Sequence, residues 1–223
     1  MTDFDYAHRD TSVGERKTPT EQFNKIALSS ELENIRRTAC EREIPVSDRE
    51  TLTFLLTLLT ALQPKNILEI GTAVGLSAAA MLSVCNNAHI TTIEKSSDFA
   101  KEAEQNFQKL GIAPHISLIY GDAGEEIERL EEQSFDFIFL DAAKVQYVKY
   151  LPTLKKLLKP SGVLLADDVL LFGYVSGEVE VPKKRKMLVE HIKEYLSAVT
   201  NDADLITTII NAGNGLSMSV KKS

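Results

Sequence analysis

The strongest constraint on this chain is an apolar strand that runs into a glycine-rich turn and then a helix. Residues 66–77 read Asn-Ile-Leu-Glu-Ile-Gly-Thr-Ala-Val-Gly-Leu-Ser. Gly71 permits a sharp turn after the strand, and Gly75 lets a helix begin close to that strand. Glu94 ends the next apolar segment, about 20 residues past the turn, where dinucleotide-binding units place a carboxylate on the ribose. The pattern predicts a site for an adenosine-containing ligand.

The spacing of the glycines distinguishes between adenosine ligands. Nicotinamide enzymes use G-x-G-x-x-G, whose middle glycine admits a pyrophosphate. This chain lacks that glycine and has Gly71-x-x-x-Gly75 with Glu69 two residues earlier. The arrangement resembles the E-x-G-x-x-x-G loop of S-adenosylmethionine (SAM) methyltransferases. SAM has a sulfonium and an amino acid end, which suit acids and hydroxyls such as Glu69 and Ser77. An ordinary tight turn is the alternative, and the position of Glu94 disfavours it.

Length and composition predict one domain over residues 1–223. A hydrophobic fraction of 43% is enough for a sizeable core. We expect residues 1–18, which carry little periodic signal, to be mobile, residues 20–62 to form helices, and residues 66–223 to form the core sheet. No apolar run approaches the roughly 18 residues of a membrane span. The N-terminus resembles no signal peptide, and Cys40 and Cys85 make no framework, so we expect a cytoplasmic protein without a membrane partner. The net charge of −7 does not favour a polyanion.

Strand and helix patterns alternate along most of the chain. Predicted strands cover 66–70, 89–93, 115–119, 135–140 and 162–166. Predicted helices lie near 76–85, 97–110, 123–131 and 147–158. Such alternation is typical of a parallel sheet with helices on both faces. Two further strands, 204–210 and 215–220, are joined by a glycine-rich segment and predict a hairpin.

Two helices are predicted before the first strand. One covers 20–42 and directs these side chains toward an apolar surface: Phe23, Ile26, Ala27 and Ile35. Ser47 and Glu50 have the spacing of a capping box, which would open a leucine-rich helix that ends near Leu62.

Five acids follow the ends of the predicted strands, where such sheets bind ligands. They are Glu94, Asp122, Asp141, Asp167 and Asp168. A carboxylate cluster repels itself unless a cation lies within it. Asp141, Asp167 and Asp168 offer only oxygen ligands, which favours Mg²⁺, Mn²⁺ or Ca²⁺ over zinc. The alternative is that Asp167 and Asp168 only cap the segment after them.

Three motifs together resemble one family. They are the turn above, the string Asp141-Ala-Ala-Lys144-x-x-Tyr147, and Asp167-Asp168-Val169. As a set they are similar to the metal-dependent O-methyltransferases, the family of caffeoyl-CoA and catechol O-methyltransferases, over nearly all of the chain from about residue 20. The resemblance implies an α/β class I methyltransferase fold. That fold has a Rossmann-like sheet of seven strands, an antiparallel C-terminal hairpin, N-terminal helices that cap the site, and a homodimer.

The resemblance also implies roles for individual residues. The residues that it assigns to SAM are Val46, Ser47, Glu69, Gly71, Ser77, Glu94, Asp122, Ala123 and Asp141. The residues that it assigns to the metal are Asp141, Asp167 and Asp168. Lys144 matches the base, and Asp141 would serve both the metal and the SAM amino group.

Within that family the chain most resembles bacterial tRNA 5-hydroxyuridine methyltransferases. The likeness lies in the basic run 182–186 before the last helix and in the glycine-rich hairpin. Three positions depart from the pattern. Asp168 replaces an asparagine, Phe172 replaces a basic residue, and Asn214 replaces an aspartate.

We therefore predict a SAM- and Mg²⁺-dependent O-methyltransferase whose preferred acceptor is 5-hydroxyuridine in tRNA. A metal that binds two adjacent acceptor oxygens would lower the pKa of the hydroxyl. Phe172 and Tyr174 would stack on a flat ring. The side chains that would contact phosphate are Lys183, Lys184, Arg185 and Lys186. A solvated helix start is the alternative for this run.

Three alternatives to that function remain. A small-molecule catechol or phenol methyltransferase would use the same chemistry. A nucleotide-binding oxidoreductase is disfavoured by the missing middle glycine, and a non-catalytic SAM-binding module is disfavoured by the acids and Lys144.

Overall fold

The computed structural model describes residues 22–223. The seven strands in this range are β1 (Asn66–Ile70), β2 (His89–Glu94), β3 (Ile116–Tyr120), β4 (Phe135–Leu140), β5 (Leu158–Ala166), β6 (Leu205–Ile210) and β7 (Leu216–Lys221). The α-helices are α1 (Ser30–Glu41), α2 (Arg49–Leu62), α3 (Leu76–Val84), α4 (Ser97–Lys109), α5 (Ala123–Glu126), α6 (Tyr147–Leu157) and α7 (Lys186–Thr200). The predicted mobility of residues 1–18 and the first two positions of the predicted helix 20–42 lie outside the described residues.

All seven strands form one sheet in the order β3-β2-β1-β4-β5-β7-β6. Strand β1 lies at its centre and pairs in parallel with β2 and β4, so Ile67 is opposite both Ile90 and Phe137. Strands β3 and β5 extend the parallel part on either side. Strand β7 is antiparallel to both β5 and β6. The predicted seven-stranded sheet with a C-terminal hairpin is confirmed.

Helices cover both faces of the sheet because alternate residues of its strands point to opposite sides. Ile67 packs with side chains of α2, α3 and α4 on one face. Leu68 and Ile70 pack with α6 and α7 on the other face. Both faces are apolar, which explains why the central strands read as continuous apolar runs. No helix between residues 22 and 223 has the length and apolar character that a membrane crossing requires.

The first predicted helix begins later than expected. Helix α1 starts at Ser30, because the hydroxyl of Ser29 accepts a hydrogen bond from the Leu32 N–H and caps the helix. Phe23 is 77% exposed and Ala27 is also exposed, so the expected apolar contacts of these two residues are wrong. Two of the four predicted contacts are correct: Ile26 and Ile35 pack against the cluster beneath α1, α2 and α3.

The capping box at Ser47 and Glu50 is also wrong. Helix α2 is capped one residue later by Asp48, whose Oδ1 accepts the N–H of Thr51 at 2.8 Å. The carboxylate of Glu50 is buried and accepts the N–H of Gly213 at 3.1 Å. Ser47 and Asp48 are both residue types that cap helices. Asp48 is the cap in the structure, and Glu50 contacts Gly213 instead of completing a capping box.

We predict that Gly71→Ala lowers the free energy of unfolding by about 3 kcal/mol or more. Gly71 has φ +99°, and a Cβ there would overlap the carbonyl oxygen of Asp141. Gly111→Ala is the matched control, because Gly111 has φ +70° with open space around it, and it should cost about 1 kcal/mol. Urea unfolding measures both variants. Equal losses would mean that the backbone angle alone requires glycine at position 71.

Candidate functional site

The glycine turn (residues 71–75) lies where the order of the sheet reverses direction. From β1 the chain moves outward through β2 to β3, whereas β4 and β5 extend the other side. Ligands bind at such switch points in open α/β sheets. The Gly71 N–H donates to the Ile93 carbonyl at 3.0 Å, and the Asp141 N–H donates to the Ile70 carbonyl at 2.9 Å. The turn and Asp141 therefore lie side by side just beyond the carboxyl ends of the paired strands β1 and β4.

A buried carboxylate organises the glycine turn from beneath. Ser77 Oγ donates to Glu69 Oε1 at 2.6 Å, and Thr92 Oγ1 donates to Glu69 Oε2 at 2.5 Å. The hydroxyl of Thr72 lies 2.6 Å from that of Thr92. Burial raises the pKa of Glu69 to about 7, although the hydrogen bonds from Ser77 and Thr92 oppose the shift. Glu69 is fully buried, so it acts on the turn through these two hydroxyls.

Glu94 braces the turn from the end of β2, as its predicted position requires. Its Oε2 accepts the N–H of Ala73 at 2.9 Å, and its Oε1 accepts the N–H of Ser96 at 2.7 Å. Ala73 has φ +44°, a strained angle that this hydrogen bond helps to hold. A carboxylate has about four lone-pair sites, so these two bonds leave Glu94 able to accept more.

Asp122 and Ala123 begin the short helix α5 beside the end of β2. Asp122 Oδ1 accepts the Gly124 N–H, and its Oδ2 accepts from Lys95 Nζ, both at 2.9 Å. The hydrogen bond from Lys95 lowers the pKa of Asp122. Both Asp122 and Ala123 are partly exposed, which leaves them accessible to a ligand at this edge.

Lys144 lies between two of the predicted metal ligands. Its Nζ is 2.8 Å from Asp141 Oδ1 and 3.2 Å from Asp168 Oδ2. Its side chain is only 14% exposed. Burial favours the neutral amine, but Asp141 and the other nearby acids outweigh this and hold the pKa of Lys144 well above its ordinary value. Lys144 is therefore an ammonium here, whereas the predicted base requires a neutral amine.

Asp167 is held by a different part of the chain. Its Oδ1 accepts the hydroxyl of Thr51 at 3.2 Å and the Asp168 N–H at 2.7 Å. Burial raises the pKa of Asp167 well above its ordinary value, and the carboxylates of Asp168 and Asp141 add to the shift. On the other side, Ser47 Oγ donates to Asp141 Oδ2 at 3.4 Å, and its neighbour Val46 is buried. The segment before α2 thus reaches Asp141, and the contact of Val46 and Ser47 with SAM stays a prediction.

Within residues 22–223, no three His, Cys, Asp or Glu side chains lie in an arrangement that would hold a metal ion. The acids nevertheless fit a hard cation in their chemistry, because all their donors are carboxylate oxygens. A positive charge, the Lys144 ammonium, already lies between Asp141 and Asp168. The ligand set Asp141, Asp167 and Asp168 stays a prediction.

Sequence analysis missed several residues of this site. Thr92 lies two positions before Glu94 on β2, and alternate residues of a strand point to the same face of the sheet. This spacing is the sequence signal that could have identified Thr92. Thr51 gave no local signal, because its partner Asp167 is 116 positions away. Asp48 is a further, partly buried acid whose pKa is raised by burial, with the Asp168 carboxylate adding to the shift.

The aromatic side chains differ from expectation. Tyr174 is 3% exposed and belongs to the core, so the prediction that it stacks on an acceptor ring is wrong. Phe172 is partly exposed and lies edge-on to Tyr174, with ring centroids 6.3 Å apart. Tyr147 is fully buried and its hydroxyl donates to the Leu140 carbonyl at 3.0 Å.

The basic run forms a short turn, Lys183–Arg185, directly before α7. Lys183, Lys184 and Lys186 are exposed, and Arg185 is partly buried. Helix α7 packs against the turn Lys144–Gln146, so the run begins a helix that adjoins the acids.

The raised pKa of Glu69 predicts a pH-dependent stability. Because the folded value of about 7 lies above the ordinary 4.5, the stabilisation is complete below pH 4.5 and is lost as the pH rises through about 7. Glu69→Gln keeps the shape of the side chain but does not titrate. Relative to this variant, the wild type should lose about 2 kcal/mol between pH 5.5 and 8.5. Urea unfolding at both values checks it, and parallel pH dependences would contradict it.

Comparison with known proteins identifies the family. The sequence model of the O-methyltransferase family matches residues 23–222. Tapetum-specific methyltransferase 1 of Arabidopsis thaliana is 30% identical over 183 residues, which cover 80% of this chain and 77% of that protein. Caffeoyl-CoA O-methyltransferase of Populus kitakamiensis is 29% identical over 182 residues, which cover 78% and 76%. The methyltransferase PaMTH1 of Podospora anserina, with SAH (S-adenosylhomocysteine) bound, has the same fold, with a TM-score of 0.82, 24% identity, and coverage of 91% and 92%. The chain belongs to the O-methyltransferase family and is an enzyme of that class.

Proposed function

We propose that this O-methyltransferase takes its methyl group from SAM and transfers it to an acidic hydroxyl group with the help of a divalent cation. Asp141 carries the proposal. Its backbone faces the glycine turn, and its side chain belongs to the pair of acids around Lys144. A methyl donor bound at the glycine turn and a methyl acceptor bound near the acids would therefore meet at Asp141.

The SAM site would follow the carboxyl edge of the sheet. Glu94 would accept the ribose hydroxyls, and Asp122 and Ala123 would border the adenine. Asp141, Val46 and Ser47 would lie near the amino acid end. The accessible, partly exposed position of Asp122 and the unused lone pairs of Glu94 support this placement. So does the SAH that PaMTH1 binds in the same fold.

The transfer is a displacement at carbon. The acceptor hydroxyl would first lose its proton to a base or to solvent water. A lone pair of the resulting oxyanion would then attack the methyl carbon, the C–S bond would break, and its electron pair would stay on the sulfur of SAH. A divalent cation held by Asp141, Asp167 and Asp168 would supply a Lewis acid that lowers the pKa of the acceptor hydroxyl and binds a second acceptor oxygen. Lys144 would contribute its charge beside the acceptor oxygen, and its role as the base stays a prediction.

We propose 5-hydroxyuridine in tRNA as the preferred acceptor. The exposed lysines 183, 184 and 186 support it, because they lie at the start of α7, a helix that packs against the turn Lys144–Gln146. A small catechol-like phenol is the second candidate. The caffeoyl-CoA enzymes among the relatives favour it.

Glu94→Ala should weaken SAM binding by roughly 1.5–3 kcal/mol, because charge-assisted hydrogen bonds to the ribose are lost. Isothermal titration calorimetry measures the affinity. Glu94→Gln is the control, since it keeps one oxygen for the Ala73 N–H and should hold the turn better than alanine does. Unchanged SAM affinity in folded Glu94→Ala would reject the ribose contact, and tighter binding of NAD than of SAM would reject the proposed donor.

Methyl transfer should stop in a chelator and return with Mg²⁺ or Mn²⁺. Asp168→Asn keeps an oxygen ligand and should retain most activity, whereas Asp168→Ala should lose about tenfold or more, in line with other losses around metal sites. Transfer of a labelled methyl group is the measurement. Full activity of an Asp167→Ala, Asp168→Ala double variant in chelator would refute the metal.

The two acceptors respond differently to surface charge. Replacing Lys183, Lys184, Arg185 and Lys186 by glutamine should weaken tRNA binding and flatten its salt dependence, by about 0.9 in the log–log slope for each phosphate that the protein no longer neutralises. Replacing Lys101 and Lys109 on α4 is the matched control. Turnover of catechol should change little in either variant, because salt screens exposed charges over about 8 Å. Transfer to catechol without any transfer to hydroxyuridine-containing tRNA would overturn the preferred acceptor.

A further inference from the structure

A buried glutamate links three segments that are distant in the sequence. They are the first turn of α2, the hairpin tip (residues 211–215) and the acid loop (residues 167–170). Glu50 Oε2 accepts the N–H of Gly213 in the hairpin tip at 3.1 Å, and its Oε1 accepts from Asn24 Nδ2 at 2.8 Å. The carboxylate is 4% exposed.

The hairpin tip in turn holds the backbone of the acid loop. The Val169 N–H donates to the Gly215 carbonyl at 2.9 Å, and the Leu170 N–H donates to the Asn214 carbonyl at 2.8 Å. These bonds follow directly on Asp168, whose φ of +59° is one that residues other than glycine rarely adopt. The tip therefore fixes the backbone of the loop next to a strained residue at the site.

The tip can approach α2 this closely only because of its glycine. Gly213 has φ +55°, and a Cβ there would overlap the carboxylate of Asp48 and crowd the hydroxyl of Thr51. That hydroxyl donates to Asp167 at 3.2 Å. The start of α2 thus reaches the acid loop directly through Thr51 and through the hairpin tip by way of Glu50.

We propose that Glu50 is a positioning residue for methyl transfer: by fixing the hairpin tip, it sets the backbone of the acid loop that presents Asp167 and Asp168 to the acceptor. The proposal rests on the proposed function for the role of the two acids. The hydrogen bonds of Glu50 to Gly213 and Asn24 join it to the hairpin tip and to the segment before α1, and neither partner belongs to the glycine turn that would hold SAM, so we expect its effect on the acceptor side of the site.

The test separates local positioning from general stability. In Glu50→Ala, hydrogen exchange at the Val169 and Leu170 amides should accelerate about tenfold, because their acceptors in the tip are released, while the amides of β1 keep their rates. The rate constant kcat should fall about tenfold, with SAM affinity within twofold of wild type, since displacements of about 1 Å in a reacting geometry are costly. Glu50→Gln should rescue most of both effects, because its amide oxygen still accepts from Gly213.

Matched variants complete the experiment. Asn24→Ala removes the hydrogen bond between Asn24 and Glu50 and should leave the exchange of Val169 and Leu170 near wild type. Gly213→Ala should reproduce the local loosening if Glu50→Ala does not fold, and Gly111→Ala controls for its backbone strain.

Three results would overturn the proposal: unchanged exchange at Val169 and Leu170 in a folded variant, equal acceleration in β1, or local loosening with unchanged kcat. If the wild type itself transfers no methyl group, the proposed function fails. The exchange data then still decide whether Glu50 holds the acid loop.

Discussion

The hydrogen-bond ladder of the parallel sheet continues beyond the ends of its strands, and the site depends on this extension. After β1, β3, β4 and β5, the first amide of the following loop still donates to a carbonyl of a neighbouring strand. The four pairs are Gly71 with Ile93, Gly121 with Glu94, Asp141 with Ile70, and Asp167 with Leu140. Loop residues usually vary in position, but these are held as firmly as the strands. A glycine at position 71 is required because the ladder brings the Asp141 carbonyl against it.

Charge is the second constraint on the site. Asp48, Asp141, Asp167 and Asp168 lie close enough for their carboxylates to influence one another's protonation. A partly buried group of like charges is costly unless protons or cations offset it, and of these four only Asp167 is fully buried. Here the Lys144 ammonium lies between Asp141 and Asp168 and offsets one of their two negative charges, and burial raises the pKa of Asp48 and of Asp167. A divalent cation bound to Asp141 and Asp168 would therefore compete with Lys144 for their oxygens.

The strand bounds were predicted to within one residue except at β5, because burial on both faces makes each central strand a continuous apolar run. Strand β5 begins at Leu158 rather than at the predicted 162, and this start was missed because residues 159–161 are partly or fully exposed and carry no apolar pattern. The sequence also predicted that acids meet at one edge, since parallel strands end on the same side. The starts of α3, α4, α5 and α6 were also predicted correctly, but α1 was extended too far toward the N-terminus, because an amphipathic pattern does not mark the first turn. The cap of α2 was misplaced because Ser47 and Asp48 both satisfy the local rule.

Only the local contacts of the acids could be predicted from the sequence. Asp141 and Lys144 lie three positions apart, and their proximity follows from local geometry. The contacts of Asp167 with Thr51 and of Glu50 with Gly213 depend on how α2 and the hairpin pack. The burial of Tyr174 likewise depends on packing, because an aromatic residue in a loop is equally compatible with core and surface.

The contact between Glu50 and Gly213 joins residues 163 positions apart, and this separation has a consequence for folding. Contacts that close long loops carry a large entropic cost and form slowly unless other structure has already brought their ends together. The parallel strands must pair, and β7 must then join β5, before the hairpin tip can reach α2. The half of the site built on the glycine turn can thus assemble early, whereas the acid loop acquires its geometry last. A folding intermediate that lacks the hairpin would be able to form the donor half while its acceptor half remains incomplete.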